Sequence, residues 1–464
     1  MDNYGILTLL PVTLILVIAV LTKRTLFAML IGLCAAALVL GGFTGFLDQL
    51  FESTYGGMSD ETLQWLLLVI VMFGILISLF EKSGAVMEFG EWTGKFIKTK
   101  RQTLIFTFIL GIIVFIDDYL NNLAIGTTMK AITDKFGIPR TQLAYVVNSV
   151  AAPVCLIIPM SAWAVYFAGL FEANGVTVNG TGMGAYIQAI PLVFYGYAAV
   201  AVCLLQIIGI IPKIGVLKKD TLRAQETGVL FPVGTEPDHI LEEKTQNAVA
   251  SQSDVSTPKP HPWNFLIPLA VMIVVTLLTE IDVLLGAMAG SVTAFLLYLI
   301  QRKLKFKELL TASFDGILNM GFVLVLCTLA FSVQHANLEL GLANYVIELV
   351  LPIMKGGLLP MVVFLFCAIY AYATGCFWDL AVIIMPIVIP LAQAMGVDPI
   401  LAGAAVFSGA AFGSNTCLYG DGVILCSQAC GIKAIDLMLT TLPYAAIAAV
   451  ISSIGYLIAG FAMM

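Results

Sequence analysis

The sequence predicts an all-α polytopic membrane protein made of two inverted repeats, each with a re-entrant hairpin and a broken helix. Three observations lead there. Of the 464 residues, 60% are hydrophobic and 11% charged, against about 25% charged in soluble domains. Apolar runs of about 20 residues recur, long enough for a bilayer core of roughly 30 Å. Polar and Pro/Gly motifs interrupt these runs at corresponding places in the two halves.

The expected spans are 6–22, 26–46, 64–80, 103–116, 141–170, 187–212, 263–281, 283–300, 314–334, 358–375, 379–395, 400–430 and 436–462. Orientation follows from Lys and Arg, which gather in short cytoplasmic loops. Lys23 and Arg24 follow the first run, so the N-terminus is expected outside. No small-residue cleavage site follows that run, so it reads as a span and not a signal peptide. Loop 47–63 carries Asp48, Glu52, Asp60 and Glu61 without a base and fits outside. Lys82, Lys95, Lys98, Lys100 and Arg101 fit inside.

Run 103–116 begins at that basic loop, yet Lys130, Lys135 and Arg140 follow soon after. Between them stands Ile116-Asp117-Asp118-Tyr119-Leu120-Asn121-Asn122. Two carboxylates and two amides at mid-membrane depth are expensive in lipid. A hairpin that enters and leaves on the cytoplasmic side resolves both facts, with its tip in protein or a water-filled cavity. Segment 141–170 then crosses outward and 187–212 returns. Residues 213–262 begin with Lys213, Lys218, Lys219 and Arg223, and turn Gln/Ser/Thr/Asp/Pro-rich. That composition reads as a flexible cytoplasmic linker. It separates an N-terminal repeat, 1–212, from a C-terminal repeat, 263–464. In the second half Glu280, Asp282 and 334–348 fall outside, with Gln334 and His335 as the interfacial end of span 314–334. Arg302, Lys303, Lys305, Lys307 and Lys433 fall inside, which puts the C-terminus outside. Every Lys and Arg except Lys355 is then cytoplasmic.

The halves look alike. Phe115-Ile116-Asp117-Asp118 has a counterpart in Cys376-Phe377-Trp378-Asp379. Asn148-Ser149-Val150-Ala151-Ala152-Pro153, followed by Pro159-Met160-Ser161, pairs with Phe407-Ser408-Gly409-Ala410-Ala411-Phe412, followed by Tyr419-Gly420-Asp421. Each half reads as three spans, an amphipathic stretch, a hairpin, a broken span and a last span. The hairpin contributes no crossing, so the crossings per half are odd and the second half is expected upside down. Inverted repeats of this kind are a transporter architecture, with the binding site near the midplane between them.

Helices broken at the midplane offer carbonyls and C-terminal ends to a cation, and N-terminal ends to an anion. Four segments qualify. At the hairpin tip stand Asp117, Asp118, Asn121 and Asn122, and an intramembrane acid is functional by default. Neighbouring residues lie about 100° apart on a helix, so Asp117 and Asp118 cannot share one face. In the second segment Asn148, Ser149 and Ser161 flank a break made by Pro153 and Pro159. The third holds Thr374 and Asp379 around an Ala-Thr-Gly turn. The fourth holds Ser408, Ser414, Asn415, Thr416 and Asp421 among Gly409, Gly413, Gly420 and Gly422. The competing structural roles are a tip that satisfies its own backbone, a packing kink, an interfacial acid at Asp379, and a helix cap or Lys433 partner at Asp421. Cys34, Cys155, Cys203, Cys327 and Cys367 sit in apolar runs without metal-ligand spacing and read as small buried hydrophobes. There is no nucleotide-binding loop, nucleic-acid signature or nucleophile–base constellation. An enzyme and a nucleic-acid binder are therefore not expected, and neither is a cofactor.

Asp117-Asp118-Tyr119-Leu120-Asn121-Asn122, with Thr133-Asp134, Leu143-Ala144-Tyr145, Ala151-Ala152-Pro153-Val154-Cys155 and Pro159, resembles the NhaC-type sodium/proton antiporter family of the ion-transporter superfamily. Phe407-Ser408-Gly409-Ala410-Ala411-Phe412-Gly413 and Leu442-Pro443-Tyr444 are similar to that family's C-terminal half. The resemblance implies a multi-pass protein of the cell membrane, a bacterial inner membrane, with a scaffold part that forms a homodimer and a core that moves as an elevator. It implies Na⁺ and H⁺ as the transported or coupling ions, with the lipid bilayer and small ions as partners. The expected exchange site is one carboxylate, Asp118 first and Asp117 next, that takes Na⁺ or H⁺ but not both. Asn122, Ser149 and Asn415 would complete the oxygen set around Na⁺. Where the family pattern has an Asp-His pair after Phe-Gly, this chain has Ser414-Asn415. That departure leaves room for the alternative: a sodium-coupled transporter or exchanger of a small organic solute, an amino acid or a carboxylate. No Lys or Arg falls at midplane depth, which weighs against dicarboxylates.

Overall fold

The computed structural model describes residues 4–22, 25–94, 97–232, 261–279, 282–350, 352, 354–375, 377–418 and 420–463. Its first half contains α1 (Leu10–Thr22), α2 (Thr25–Met58), α3 (Glu61–Ser83), α4 (Ala85–Gly94), α5 (Lys100–Ile113), α6 (Asp118–Lys135), α7 (Arg140–Ile157), α8 (Ala162–Ala173), α9 (Gly182–Ala189), α10 (Phe194–Ile208) and α11 (Gly215–Thr227). The second contains α12 (Trp263–Leu278), α13 (Val283–Ile300), α14 (Phe306–Asn319), α15 (Gly321–Leu340), α16 (Leu342–Val350), α17 (Leu359–Thr374), α18 (Phe377–Ala394), α19 (Pro399–Thr416), α20 (Asp421–Cys430) and α21 (Ala434–Ala462). Among the described residues, seven helical runs are long and apolar enough to cross a membrane, or up to nine if each of two bent pairs counts as one. Lys23, Arg24, Lys95, Glu280, Cys376, Tyr419 and linker residues 233–260 lie outside the described residues, as does the side chain of Asp379.

The breaks fall where the sequence places them. α5 stops at Ile113 and α6 starts at Asp118. Lys100 Nζ, at the start of α5, donates to Gly137 O just beyond α6 (3.2 Å). The hairpin therefore returns to the level at which it entered. Pro153 and Pro159 bracket the end of α7, and α8 departs from it at 43°. In the second half α17 stops at Gly375, whose φ of 73° is one that glycine adopts without steric penalty. α18 begins at Phe377, and α19 gives way to α20 across 417–420. The same order of hairpin, broken helix and last span thus occurs twice.

The helices pack in two groups. α1–α3 pack with α12–α15, and α5–α10 with α17–α21, while α8 and α6 touch the first group and its extension at α3 and α4. Small residues let backbones approach where lipid supplies no hydrophobic drive. A Cβ on Gly316 of α14 would sit 2.3 Å from Gly74 O of α3. At the basic end, Lys303 Nζ meets Glu88 Oε1 of α4 (2.7 Å), and Asn264 Nδ2 donates to Glu88 Oε2 (2.7 Å). Burial pulls the Lys303 ammonium below its ordinary pKa, and the Glu88 carboxylate opposes that shift.

Four expectations need correction. Residues 47–58 are not an outer loop: α2 bends at Gly42 (φ 59°) and stays helical to Met58, because apolar residues continue at helical spacing to Asp60. The expected span 187–212 begins earlier, at Gly182, and bends by 46° near Pro191. Gln334 does not end its helix, since α15 runs on to Leu340, and Gln334 Nε2 donates to Ala173 O (2.9 Å). The expected linker starts as α11, which buries Leu217 and Asp220, and Thr141 Oγ1 of α7 donates to Asp220 Oδ2 (3.0 Å). All the described cysteines but Cys34 are buried.

The α3–α14 crossing predicts a stability effect. Gly316→Val should destabilise the protein by about 1–3 kcal/mol through overpacking, read as a lower thermal midpoint in detergent. Gly321→Ala, where a Cβ meets nothing within 4 Å, should leave the midpoint unchanged.

Candidate functional site

A helix that stops inside apolar surroundings leaves N–H and C=O groups without intrahelical partners. The α5–α6 tip answers many of them. Val114 O accepts from Asn121 Nδ2 (2.9 Å), which also donates to Gly111 O (2.7 Å). Phe115 O accepts from Cys155 Sγ (3.2 Å), Ile116 O from Ala162 N (2.8 Å) and Asp117 O from Asn121 N (3.1 Å). At the start of α6, Asp117 Oδ1 accepts from Tyr119 N (2.9 Å) and Leu120 N (3.1 Å). Asp117 is thus the N-cap, a role that suits a short acidic side chain. The four carbonyls of 114–117 all have donors.

What the tip leaves open is side-chain oxygen. Asp118 is fully buried, and its Oδ1 accepts from the Trp163 indole Nε1 (2.9 Å). Its Oδ2 has no hydrogen-bond partner, and neither do Asn121 Oδ1 and Asn122 Oδ1, both buried. No Lys, Arg or His among the described residues forms an ion pair with Asp118. Positions 118, 121 and 122 have the i, i+3, i+4 spacing of one helix face. Three buried acceptor oxygens, one of them carboxylate, are thus without a hydrogen-bond donor at the tip.

The second half meets this tip. Tyr119 OH donates to Asp421 Oδ2 (3.3 Å) and accepts from Trp378 Nε1 (3.2 Å). Tyr166 OH donates to Trp378 O (2.8 Å), and the Trp163 and Trp378 rings lie 5.0 Å apart. A Cβ on Gly422 would lie 3.3 Å from Ser414 Oγ and 3.5 Å from Asn122 Nδ2, so these two side chains face each other across that glycine. Asp421 is therefore in contact with the first hairpin through Tyr119.

The other expected residues divide. Asn148 Nδ2 donates to Asn415 O (2.8 Å) and Thr441 Oγ1 (3.4 Å), and Asn415 Nδ2 to Tyr195 OH (3.4 Å). Ser149 and Asn415 line a small cavity with Tyr145, Tyr195, Thr441 and Tyr444, with room for about one water-sized body. Ser149, expected beside Asp118, is grouped with these residues of α7, α10, α19 and α21 instead. Ser161 Oγ caps α8 at Ala164 N (3.0 Å) and donates to Cys155 O. Thr374 Oγ1 donates to Tyr370 O (2.8 Å) and Thr416 Oγ1 to Phe412 O (2.6 Å), each one turn back in its own helix. Ser408 Oγ pairs with Tyr456 OH (2.6 Å). Asp379 lies in the first turn of α18. Sequence reasoning missed Trp163, Tyr145, Tyr195 and Thr441. Trp163 had a signal, because an indole N–H buried in an apolar helix needs an acceptor.

This fold and site define a multi-pass membrane transporter. A sequence model of the Na⁺/H⁺ antiporter family matches residues 154–461. The chain belongs to that family, in keeping with the NhaC-type resemblance. The match starts beyond the Asp117–Asn122 tip, whose place in the site rests on the geometry above. A Haemophilus influenzae relative, described only as uncharacterized, is 24% identical, with 98% of this chain and 91% of that protein covered. Two solved structures share the fold. MtrF of Neisseria gonorrhoeae, described as illuminating a class of antimetabolite efflux pumps, has a TM-score of 0.61 at 15% identity, covering 91% of this chain and 86% of its own. The YdaH transporter of Alcanivorax borkumensis, described as having an unusual topology, has a TM-score of 0.61 at 14% identity, covering 97% and 98%.

The tip makes its own prediction. Asn121→Leu leaves Gly111 O and Val114 O without their donor, at a cost of about 1–3 kcal/mol for each buried group. The thermal midpoint in detergent should fall accordingly, and Asn122→Leu, which closes no backbone group, should change it less.

Proposed function

We propose that the chain is a Na⁺/H⁺ antiporter in which Asp118 is the shared site. One observation carries the reading: a fully buried carboxylate whose Oδ2 has no donor and which pairs with no cationic side chain. An uncompensated buried charge is strongly unfavourable. The group therefore takes a proton or a bound cation. When Na⁺ binds, Asp118 Oδ2, Asn121 Oδ1 and Asn122 Oδ1 supply oxygens, and Trp163 Nε1 holds Oδ1 in place. When H⁺ binds, the Asp118–Trp163 pair is neutral and the amide oxygens are left without a cation. The two ions exclude each other at one carboxylate, and that competition is the coupling.

Ser149, Asn415 and Tyr145 form a second, neutral oxygen cavity suited to a coupling ion. The wider reading follows the same lines. The repeated element order supports two inverted repeats, and the two packed groups of helices support a scaffold and an elevator-type core. The Lys and Arg distribution supports both termini outside a bacterial cell membrane, and the family resemblance supports a homodimer. A second reading, Na⁺-coupled transport or exchange of a small organic solute, is favoured by Ser414-Asn415, where no ionisable pair stands. The efflux function described for MtrF points the same way.

Proteoliposomes with an internal pH-sensitive dye test the proposal. NaCl should drive a pH change that KCl does not, and Asp118→Asn should abolish it at unchanged expression. Below the pKa of the site, the apparent Na⁺ affinity should fall about tenfold per unit of acidification, as one-for-one competition requires. Wild-type exchange in Asp118→Asn would sink the assignment. A folded wild type with no Na⁺-driven pH change, but with Na⁺-dependent uptake of a labelled solute, would favour the second reading.

A further inference from the structure

α6 and α20 both start at the candidate site. α6 opens with Asp118 and α20 with Asp421, and Tyr119 OH bonds to Asp421 Oδ2 (3.3 Å). Further along, the two helices are in contact. A Cβ on Gly126 of α6 would lie 2.7 Å from Ala429 Cβ and 3.2 Å from Cys430 Sγ of α20. Their far ends meet one side chain. Arg140, buried at the start of α7, donates from Nε (3.3 Å) and Nη2 (2.9 Å) to the two carboxylate oxygens of Asp134 in the last turn of α6. Its Nη1 lies against Gly431, which ends α20, where a Cβ would sit 2.5 Å from it. We propose that Arg140 is a positioning residue of the exchange site: it clamps the far ends of α6 and α20 and so fixes how their starts, with Asp118 and Asp421, face each other. The inference rests on the antiport reading of that site.

The chemistry suits an arginine. A planar guanidinium offers a carboxylate two parallel N–H groups, which fixes angle as well as distance. A cation is also favoured where a helix ends, and here two helices end beside one. The clamp is held in turn by the chain beyond α11. Arg140 N donates to Leu230 O (3.0 Å), and the guanidinium carbon lies 4.1 Å from the centroid of the Phe231 ring, a cation–π contact. Phe231 O accepts from Arg223 Nη2, which also pairs with Asp220 (3.0 Å), and Asp220 accepts from Thr141 of α7 (3.0 Å). The guanidinium is thus held at its edge by Asp134 and at its face by Phe231. Asp134 lies about 24 Å along α6 from Asp118 at 1.5 Å per residue, so Arg140 acts on the site through the helix pair and touches no ion.

Two readouts on the full-length protein test this. The first needs no transport: the rate at which a maleimide modifies Cys430, buried in the α6–α20 seam, read by peptide mass spectrometry in detergent. Arg140→Lys keeps the charge and loses the fork, and should raise that rate at least about tenfold, as loss of a charged hydrogen bond does for local opening. Phe231→Leu should raise it less. The second is the Na⁺ concentration that half-saturates proton flux in proteoliposomes, which should shift upward in both variants at a retained cooperative thermal transition. Should Arg140→Lys fail to fold, Phe231→Leu carries both comparisons. Wild-type labelling in the folded variants would overturn the proposal. Faster labelling with an unmoved half-saturation would also overturn it, because Arg140 would then support the fold alone. A folded wild type without Na⁺-driven flux removes the antiport reading and this assignment with it. Normal wild-type flux with unmoved variants removes this assignment only.

Discussion

A helix that ends inside a membrane has to find partners for the polar groups at its end, and the rest of this structure is arranged around that constraint. The α5–α6 tip shows how it is met. Asn121 closes the end of α5, Asp117 closes the start of α6, and Cys155 and Ala162 take the carbonyls between them. Cys155 belongs to α7 and Ala162 opens α8, so the broken helix serves the broken hairpin. The oxygens of Asp118, Asn121 and Asn122 that remain without donors are the ones from which the proposed ion site is built.

The second half completes the site through aromatic side chains. Tyr119 links Asp421 and Trp378 to the first hairpin, and Trp163 lies between Asp118 and the Trp378 ring. In this account, the charge state of Asp118 is sensed at Trp163 and through it at the second hairpin. Exchange at one carboxylate can then bias the packing of one group of helices against the other. Coupling of this kind needs differential contact in two states, and a tip bonded to both halves supplies the means.

Much of this was legible in the sequence, because the signals were local. Asp117-Asp118 in the middle of an apolar run demanded a hairpin, and the bases on either side of it, Lys100 and Lys135 among them, pointed to two ends at one level. Pro153 and Pro159 marked the break in the following span. What was not legible depended on contacts far apart in the chain. Trp163 stands 45 positions from Asp118, and Asp421 stands 302 from Tyr119. No periodicity links such pairs. Ser149 was expected beside Asp118 because both flank breaks, but it lines a cavity with Tyr145, Tyr195 and Thr441 instead. The acidic residues 48–61 suggested a loop, whereas the hydrophobic spacing that continues past Gly42 keeps most of that stretch helical.

The central claim is that Na⁺ and H⁺ compete for Asp118. Its most direct measurement is the proton count of Na⁺ binding, from calorimetric titrations of the purified protein with NaCl in buffers of different ionisation enthalpy. Near the pKa of the site, Na⁺ binding should release up to one proton, and Asp118→Asn should release none. Na⁺ binding to the wild type without proton release across the whole pH range would contradict the account.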